Sequence, residues 1–430
     1  MKTFFYTLVA GLFSYSAIWG QTSYGGLNEG NAGDAGGNTN SYFGHEAGLN
    51  NTGIDNTFVG YLSGYANTTG YSNTTNGSYA LRFNTTGYRN TANGVHALLS
   101  NTIGYNNTAS GSYSLSTNTE GYNNTASGSY ALRFNTTGDR NTANGAHALF
   151  SNTVGVRNTA NGSAALYSNT EGNYNTANGT NVLYSNTTGY NNTANGYQAL
   201  YSNTIGNNNT ANGIHALRFN TEGNENTANG RNSLYSNTTG NYNTATGTNA
   251  FYSNTTGGNN TAIGNQSGFN NQTGSGNIFL GYQAGYNETG SNKLYIDNSA
   301  TTDPLIWGDF ANNIVTFNGD VGIGTATPDA TLAVKGNIHT QEVRVDLNGA
   351  VAPDYVFEPD YNLRSLEATE AYIKANKHLP EIPSAAEMEE NGVELKTMNL
   401  KLLQKIEELT LYIIDLQKQV DELRQHTKNR

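Results

Sequence analysis

Between residues 73 and 276 apolar residues recur neither with a helical period nor in alternation, but once every 17 residues. Leu98, Leu115, Leu132, Leu149, Leu166, Leu183, Leu200, Leu217 and Leu234 hold one place in this repeat, mostly after an alanine. Asn-Thr pairs begin at the same interval from Asn73 to Asn260, which gives 12 units reading N-T-A-N-G-x-x-A-L-x-S-N-T-x-G-x-x. Below, the first Asn of a unit is position 1 and the leucine position 9. Looser copies flank the array, N-T-F-V-G-Y-L-S-G from Asn56 and N-I-F-L-G-Y-Q-A-G from Asn277, and atypical ends are what a stacked array needs.

A unit of 17 residues is too short for a helix pair, and its glycines and asparagines favour corners where the backbone reaches positive φ. The pattern therefore predicts two short strands and two turns per coil, stacked into an all-β parallel β-solenoid or β-roll over residues 38–290. Each buried leucine of the column contributes about 1.5–3 kcal/mol. Matching asparagines are placed to form amide ladders. The pairs Ala97-Leu98, Ala131-Leu132, Ala148-Leu149 and Ala199-Leu200 set two apolar neighbours side by side. Neighbours in a strand face opposite ways, so two surfaces would want burial and an oligomer is expected; the alternative is a corner that turns both inward.

Beyond the array the periods change. Residues 291–350, with S-N-K-L-Y-I-D-N-S and V-G-I-G-T-A-T-P-D-A-T-L-A-V-K-G, read as the short strands of a β neck. Residues 351–393 read as a small helical adaptor, with one helix over 365–376 and another opened by a Ser384/Glu387 capping box and closed by Gly392. Residues 394–430 read as a coiled coil: Leu395, Leu402, Leu409, Leu416 and Leu423 at d, with Asn399, Ile406, Ile413 and Val420 at a. β-branched residues at a with leucine at d favour two strands, whereas Leu403, Tyr412 and Ile414 widen the apolar face beyond a two-residue seam.

The stretches N-T-A-N-G-Y-Q-A-L (Asn192 to Leu200) and N-T-A-I-G (Asn260 to Gly264) resemble the head repeats of trimeric autotransporter adhesins, over roughly residues 38–290. That resemblance implies a left-handed parallel β-roll that trimerises and adheres, and it decides the heptads in favour of three strands. The stretch after the array resembles the neck of phage tail fibres and of fibre-like bacterial surface proteins. The last residues, H-T-K-N-R, lack the amphipathic strands of a membrane β-barrel, so the outer-membrane anchor of those adhesins is not expected.

Composition narrows the function classes. Charged residues make up 12 % and hydrophobic ones 36 %, with 51 glycines, which suits a thin repetitive fold better than a large compact core. The net charge of -11 argues against a nucleic-acid partner. Cysteine is absent, so disulfides and thiolate chemistry are excluded. Residues 1–20, with Lys2 before the apolar run Phe4 to Phe13, read as a signal peptide, which places the protein outside the cell. Residues 21–37 read as a Gly/Asn-rich linker or cap, and no later segment is apolar enough to span a membrane.

Candidate chemistry is sparse. The array holds five acids (Glu120, Asp139, Glu171, Glu222, Glu225), too dispersed for a carboxylate pair or calcium loops, so neither an enzyme nor a cofactor or metal site is expected. His96, His147 and His215 share position 7 but lie three or more coils apart, too far to share a metal, and His378 reads as structural. Gly322-Ile323-Gly324 lacks the third glycine of a dinucleotide loop. Tyr167, Tyr184, Tyr201, Tyr235 and Tyr252 all follow position 9 and form the candidate ligand-binding stripe. Exposed, it suits sugar rings or a protein; buried, it is the seam between chains. The reading is a secreted or cell-surface homotrimeric fibre that adheres to a host, matrix or glycan ligand. The alternatives are a solenoid that binds a periodic surface such as polysaccharide or ice, and a receptor-binding protein like a phage tail fibre.

Overall fold

The structure is a computed structural model that describes residues 25–27, 39–346, 349 and 351–428. The signal-peptide reading of residues 1–20 and most of the 21–37 segment lie outside the described residues. The chain divides into two units, residues 1–333 and 334–430.

The first unit is a parallel β-solenoid of 15 coils, whose strands run from Ser41–Phe43 to Ile278–Leu280. Its strands pair in register at the 17-residue step, for example Thr91↔Thr108, Ala92↔Ala109 and Asn93↔Ser110. Each coil contributes one three-residue strand and not the two expected from the sequence. The reason lies in the backbone. Positions 7, 9 and 17 are left-handed, as at His96 (φ 59), Leu98 (φ 51) and Arg89 (φ 53), so the far side of the coil cannot extend. Hydrogen bonds between coils continue there without extended geometry, as in Leu98 N–H to Ser114 O at 3.0 Å.

The left-handed leucine also settles the Ala-Leu pair. Ala97 and Leu98 are both fully buried in the core of the single chain, as are Ala131 and Leu132. The corner that turns both residues inward is the arrangement present, so the pair does not demand a second buried surface. With the strand alanine at position 3, these residues make up the apolar core of each coil.

Polar order completes that core. Asn90 Nδ2 and Asn101 Nδ2 both donate to Gly104 O, at 2.8 and 2.9 Å, so positions 1 and 12 brace one carbonyl from two sides. Each asparagine also joins a ladder: Asn101 Nδ2 donates to Asn84 Oδ1 at 2.7 Å, and the Asn107 backbone N–H to Asn90 Oδ1 at 3.0 Å. A Cβ on Gly104 would stand 2.4 Å from Asn101 Oδ1 and 2.5 Å from Gly121 O, which is why position 15 admits only glycine. At position 5 a Cβ on Gly94 would likewise stand 2.6 Å from Gly111 O, and its φ of +133 is in addition a conformation open to glycine alone.

Aromatic residues plug both ends. Tyr42 stacks on Phe58 at 5.8 Å, and Tyr295 meets Phe279 edge-on at 5.7 Å. Residues 293–317 extend the same sheet: Lys293–Ile296 pairs parallel with the last coil, and Ile306–Asp309 and Ile314–Phe317 follow antiparallel. Val321–Ile323 and Leu332–Val334 form a separate two-stranded sheet.

The second unit contains three helices, α1 (Leu366–Asn376), α2 (Ala385–Asn391) and α3 (Leu395–Lys428), and a 3-10 turn at Pro353–Phe357. Ser365 caps α1, and left-handed Lys377 closes it. The capping box of Ser384 and Glu387 opens α2 as the sequence indicated. The 3-10 turn packs on α3 and buries Val356. Along α3, Leu395, Leu402, Ile406, Leu409, Ile413, Leu416 and Leu423 are exposed. No helix among the described residues is long and apolar enough to cross a membrane.

Candidate functional site

Because positions 1, 3, 8, 9 and 12 face inward, chemistry toward a partner rests on the outward columns. In-register stacking sets like against like, so any residue repeated at one position becomes a row. Three such rows stand out.

The first is the stripe singled out in the sequence. At position 10, Tyr167 and Tyr184 stack with ring centroids 4.9 Å apart and planes within 6°, and Tyr184 and Tyr201 at 5.2 Å and 8°. Tyr235 and Tyr252 stack at 4.9 Å, and Phe150, Phe269 and Tyr286 lengthen the row. Arg218 interrupts it between Tyr201 and Tyr235, donating from Nη1 to Tyr235 Oη at 3.0 Å. All five tyrosines are half-buried. Burial, and then neighbouring Tyr167 and Tyr201, raise the Tyr184 hydroxyl above its ordinary pKa. The stack has a chemical consequence: each ring face is covered by the next ring, so a sugar cannot lie flat on it within the row. What the row offers outward is ring edges and hydroxyls.

Two further aromatic rows escaped the sequence reading. At position 7, Tyr79, His96, Tyr113, Tyr130 and His147 follow one another at 4.6 to 5.4 Å. His147 meets Phe150 at 5.5 Å, so the position 7 row passes its aromatic character to the position 10 row midway along the solenoid. His96 thus sits between aromatic rings, and burial followed by nearby Arg82 lowers its pKa. His215 likewise lies against Tyr197 and Tyr235. At position 16, Tyr71, Tyr88, Tyr105 and Tyr122 stack at 4.8 to 4.9 Å with planes within 5°. Tyrosines spaced by 17 at these two positions were the available signal.

Beside these three rows lies a polar surface, the outer face of the sheet. Thr91 and Asn93 point outward while Ala92 points in, and the same holds in each regular coil. The position 4 asparagines from Asn144 to Asn229 bond to one another through their amides, as in Asn178 Nδ2 to Asn195 Oδ1 at 2.7 Å. Position 13 threonines give their hydroxyls to the next coil, as in Thr102 Oγ1 to Thr119 O at 3.0 Å. In contrast, the hydroxyls of the position 2 threonines have no hydrogen-bond partner among the described residues.

Residues 73–276 hold seven arginines against the five acids, so the solenoid surface is close to neutral while the whole chain carries -11. These columns thus present hydrogen-bonding groups and aromatic edges more than charge. Compared with known proteins, the chain matches no family model, no curated protein and no solved structure.

Proposed function

We propose that the chain is an exported, homotrimeric fibre protein whose solenoid adheres to a glycan or matrix surface through its repeated outward columns. The observation that carries this reading is the in-register repetition of polar and aromatic side chains at fixed outward positions, coil after coil. Each coil repeats one weak contact, and many weak contacts engaged together give strong attachment. Self-association is supported by α3, whose heptad leucines are exposed over the whole helix; Leu395 is 66 % and Leu423 65 % exposed. The resemblance of the repeats to trimeric adhesin heads favours three chains over two.

A second reading is favoured by one feature. The position 2 threonines form an unbroken row in the sheet from Thr57 to Thr261, with hydroxyls that make no hydrogen bond among the described residues. Such a row would suit a periodic solid such as crystalline polysaccharide or ice.

Both readings are tested with the full chain on an array of glycans and matrix proteins, together with its mass by sedimentation. A trimeric mass and saturable binding to one class of glycan or matrix protein support the fibre adhesin. A monomer that binds only an insoluble crystalline phase favours the second reading, and a monomer that binds nothing removes both.

A further inference from the structure

The adaptor and α3 enclose a groove of about 660 Å³. Leu366 and Leu379 wall it on the adaptor side, and Leu402, Ile406 and Leu409 on the α3 side. All five are between 44 and 59 % exposed, a large apolar surface for one small groove. Polar groups form its floor and already satisfy one another. Lys405 Nζ lies 2.8 Å from Glu381 and 2.9 Å from Glu408, and Tyr361 Oη donates to Glu408. One lysine between two carboxylates leaves one negative charge in this cluster, and Arg364, which also lines the groove, balances it, so the lining carries no net charge.

We infer that the groove receives helix α3 of a second copy of this chain, so that the adaptor of one protomer clamps the helix of its partner. Three observations select this occupant. Leu402, Ile406 and Leu409 belong to the groove and to the heptad stripe together, so whatever covers the stripe must also cover one groove wall. A helix entering an apolar groove is recognised by anchors spaced three and four residues apart along one face, and α3 carries such anchors at i, i+4, i+7 and i+11 in Leu402, Ile406, Leu409 and Ile413. The neutralised floor suits an apolar helix face. The second wall, Leu366 and Leu379, gives the partner contacts that a bare coiled coil lacks, and so explains how an apolar face wider than a two-residue seam is covered. The inference rests on the self-association proposed above.

The chain has no cysteine, so single introduced thiols report contacts between chains without ambiguity. Full-length Leu379→Cys, carrying a size tag, is co-expressed with full-length Leu409→Cys and oxidised. The expected result is a mixed disulfide of Leu379→Cys with Leu409→Cys, beside disulfides joining two Leu409→Cys chains at the heptad seam. Pairing Leu379→Cys with Leu423→Cys should give none, because 14 residues of helix separate the two heptad sites by about 21 Å. In parallel, Leu379→Asp should weaken self-association at least tenfold in sedimentation while α-helical circular dichroism is retained. Seam disulfides without the mixed product, with Leu379→Asp associating as tightly as the unaltered chain, overturn the clamp and leave self-association standing. A monomer with no seam disulfide overturns both.

Discussion

Phe279 and Gly285 exchange the sizes that alanine and leucine have in a regular coil. Phe279 stands at position 3 and Gly285 at position 9, and a Cβ on Gly285 would lie 2.4 Å from the Phe279 ring. The same exchange closes the other end, where a Cβ on Gly64 would fall 2.7 Å from Phe58. Core volume is thus kept while its source moves from the turn to the strand, where the ring can meet the end-cap aromatic.

That relationship can be inverted. Phe279→Ala alone should cost about 3–5 kcal/mol, and Gly285→Leu alone should clash with the ring. The double variant rebuilds the Ala/Leu pair of regular coils on a backbone that is already left-handed at Gly285 (φ +62), so it should recover at least half of the summed loss. Chemical denaturation of the three variants checks this, and additive losses would refute the exchange.

The leucine column depends on backbone conformation as well as volume. From Leu81 to Leu234 every position 9 leucine has φ between 49 and 53°, and all are fully buried. Leu166→Met should cost about 1 kcal/mol, as volume-conserving swaps do. Leu166→Val adds a β-branch in the left-handed region and should cost about 2–4 kcal/mol from strain and a lost methylene together. Equal thermal midpoints for the two variants would show that the conformation imposes no such limit.

A charge in the amide ladder tests its dryness. Asn152 Nδ2 donates to Asn135 Oδ1 at 2.7 Å and to Gly155 O at 3.0 Å. In Asn152→Asp an oxygen faces both acceptors, and unfolding at pH 7 should become easier by several kcal/mol. Burial would raise the pKa of this carboxyl above its unfolded value, so the folded variant binds its proton more readily and regains stability as pH falls from 7 to 4. A variant equally stable at both pH values would mean that water reaches the ladder.

Lys293 and Asp309 tie the end-cap strands at 2.9 Å. Hydrogen bonds from Lys293 and then Asn312 hold the Asp309 carboxyl down at about 2. Its folded pKa is below the unfolded value of about 3.9. The pair therefore contributes fully above about pH 4 and is lost as pH falls through 2. Melting temperatures between pH 4 and 2 should fall more steeply for the unaltered chain than for Asp309→Asn. Parallel curves would place the acid sensitivity elsewhere.

Much of this architecture is legible in the residues. The 17-residue period gives the stacking and the register, paired asparagines give the ladders, and Ser365, Ser384 and Glu387 mark where helices start. The second strand was misread because alternation arguments assume extended residues, and leucine has no intrinsic preference for the left-handed region. A signal was present nonetheless: position 9 carries Leu, Phe or Gly in the coils from Asn56 to Asn277 and never a β-branched residue. The tyrosine stripe was found as a column, but whether its rings present faces or edges depends on side-chain rotation that spacing does not encode. Tyr71, Tyr88, Tyr105 and Tyr122 were missed because their position turns to asparagine in later coils, such as Asn207, Asn224 and Asn241.

The proposal that adhesion is spread over the repeats is tested most directly by shortening the solenoid. Deleting residues 124–174 removes three whole coils and joins Asn123 to Asn175, so Thr108 meets Thr176 as it now meets Thr125, and both end caps remain. Affinity for the identified glycan or matrix ligand is then measured on immobilised surfaces for chains lacking one, two and three such triplets. Under distributed adhesion, binding should decline by a similar factor with each triplet, as linked weak sites do. Affinity that stays constant through the series, and vanishes only when the coils before Asn73 are removed, would contradict it and assign the repeats the role of a stalk.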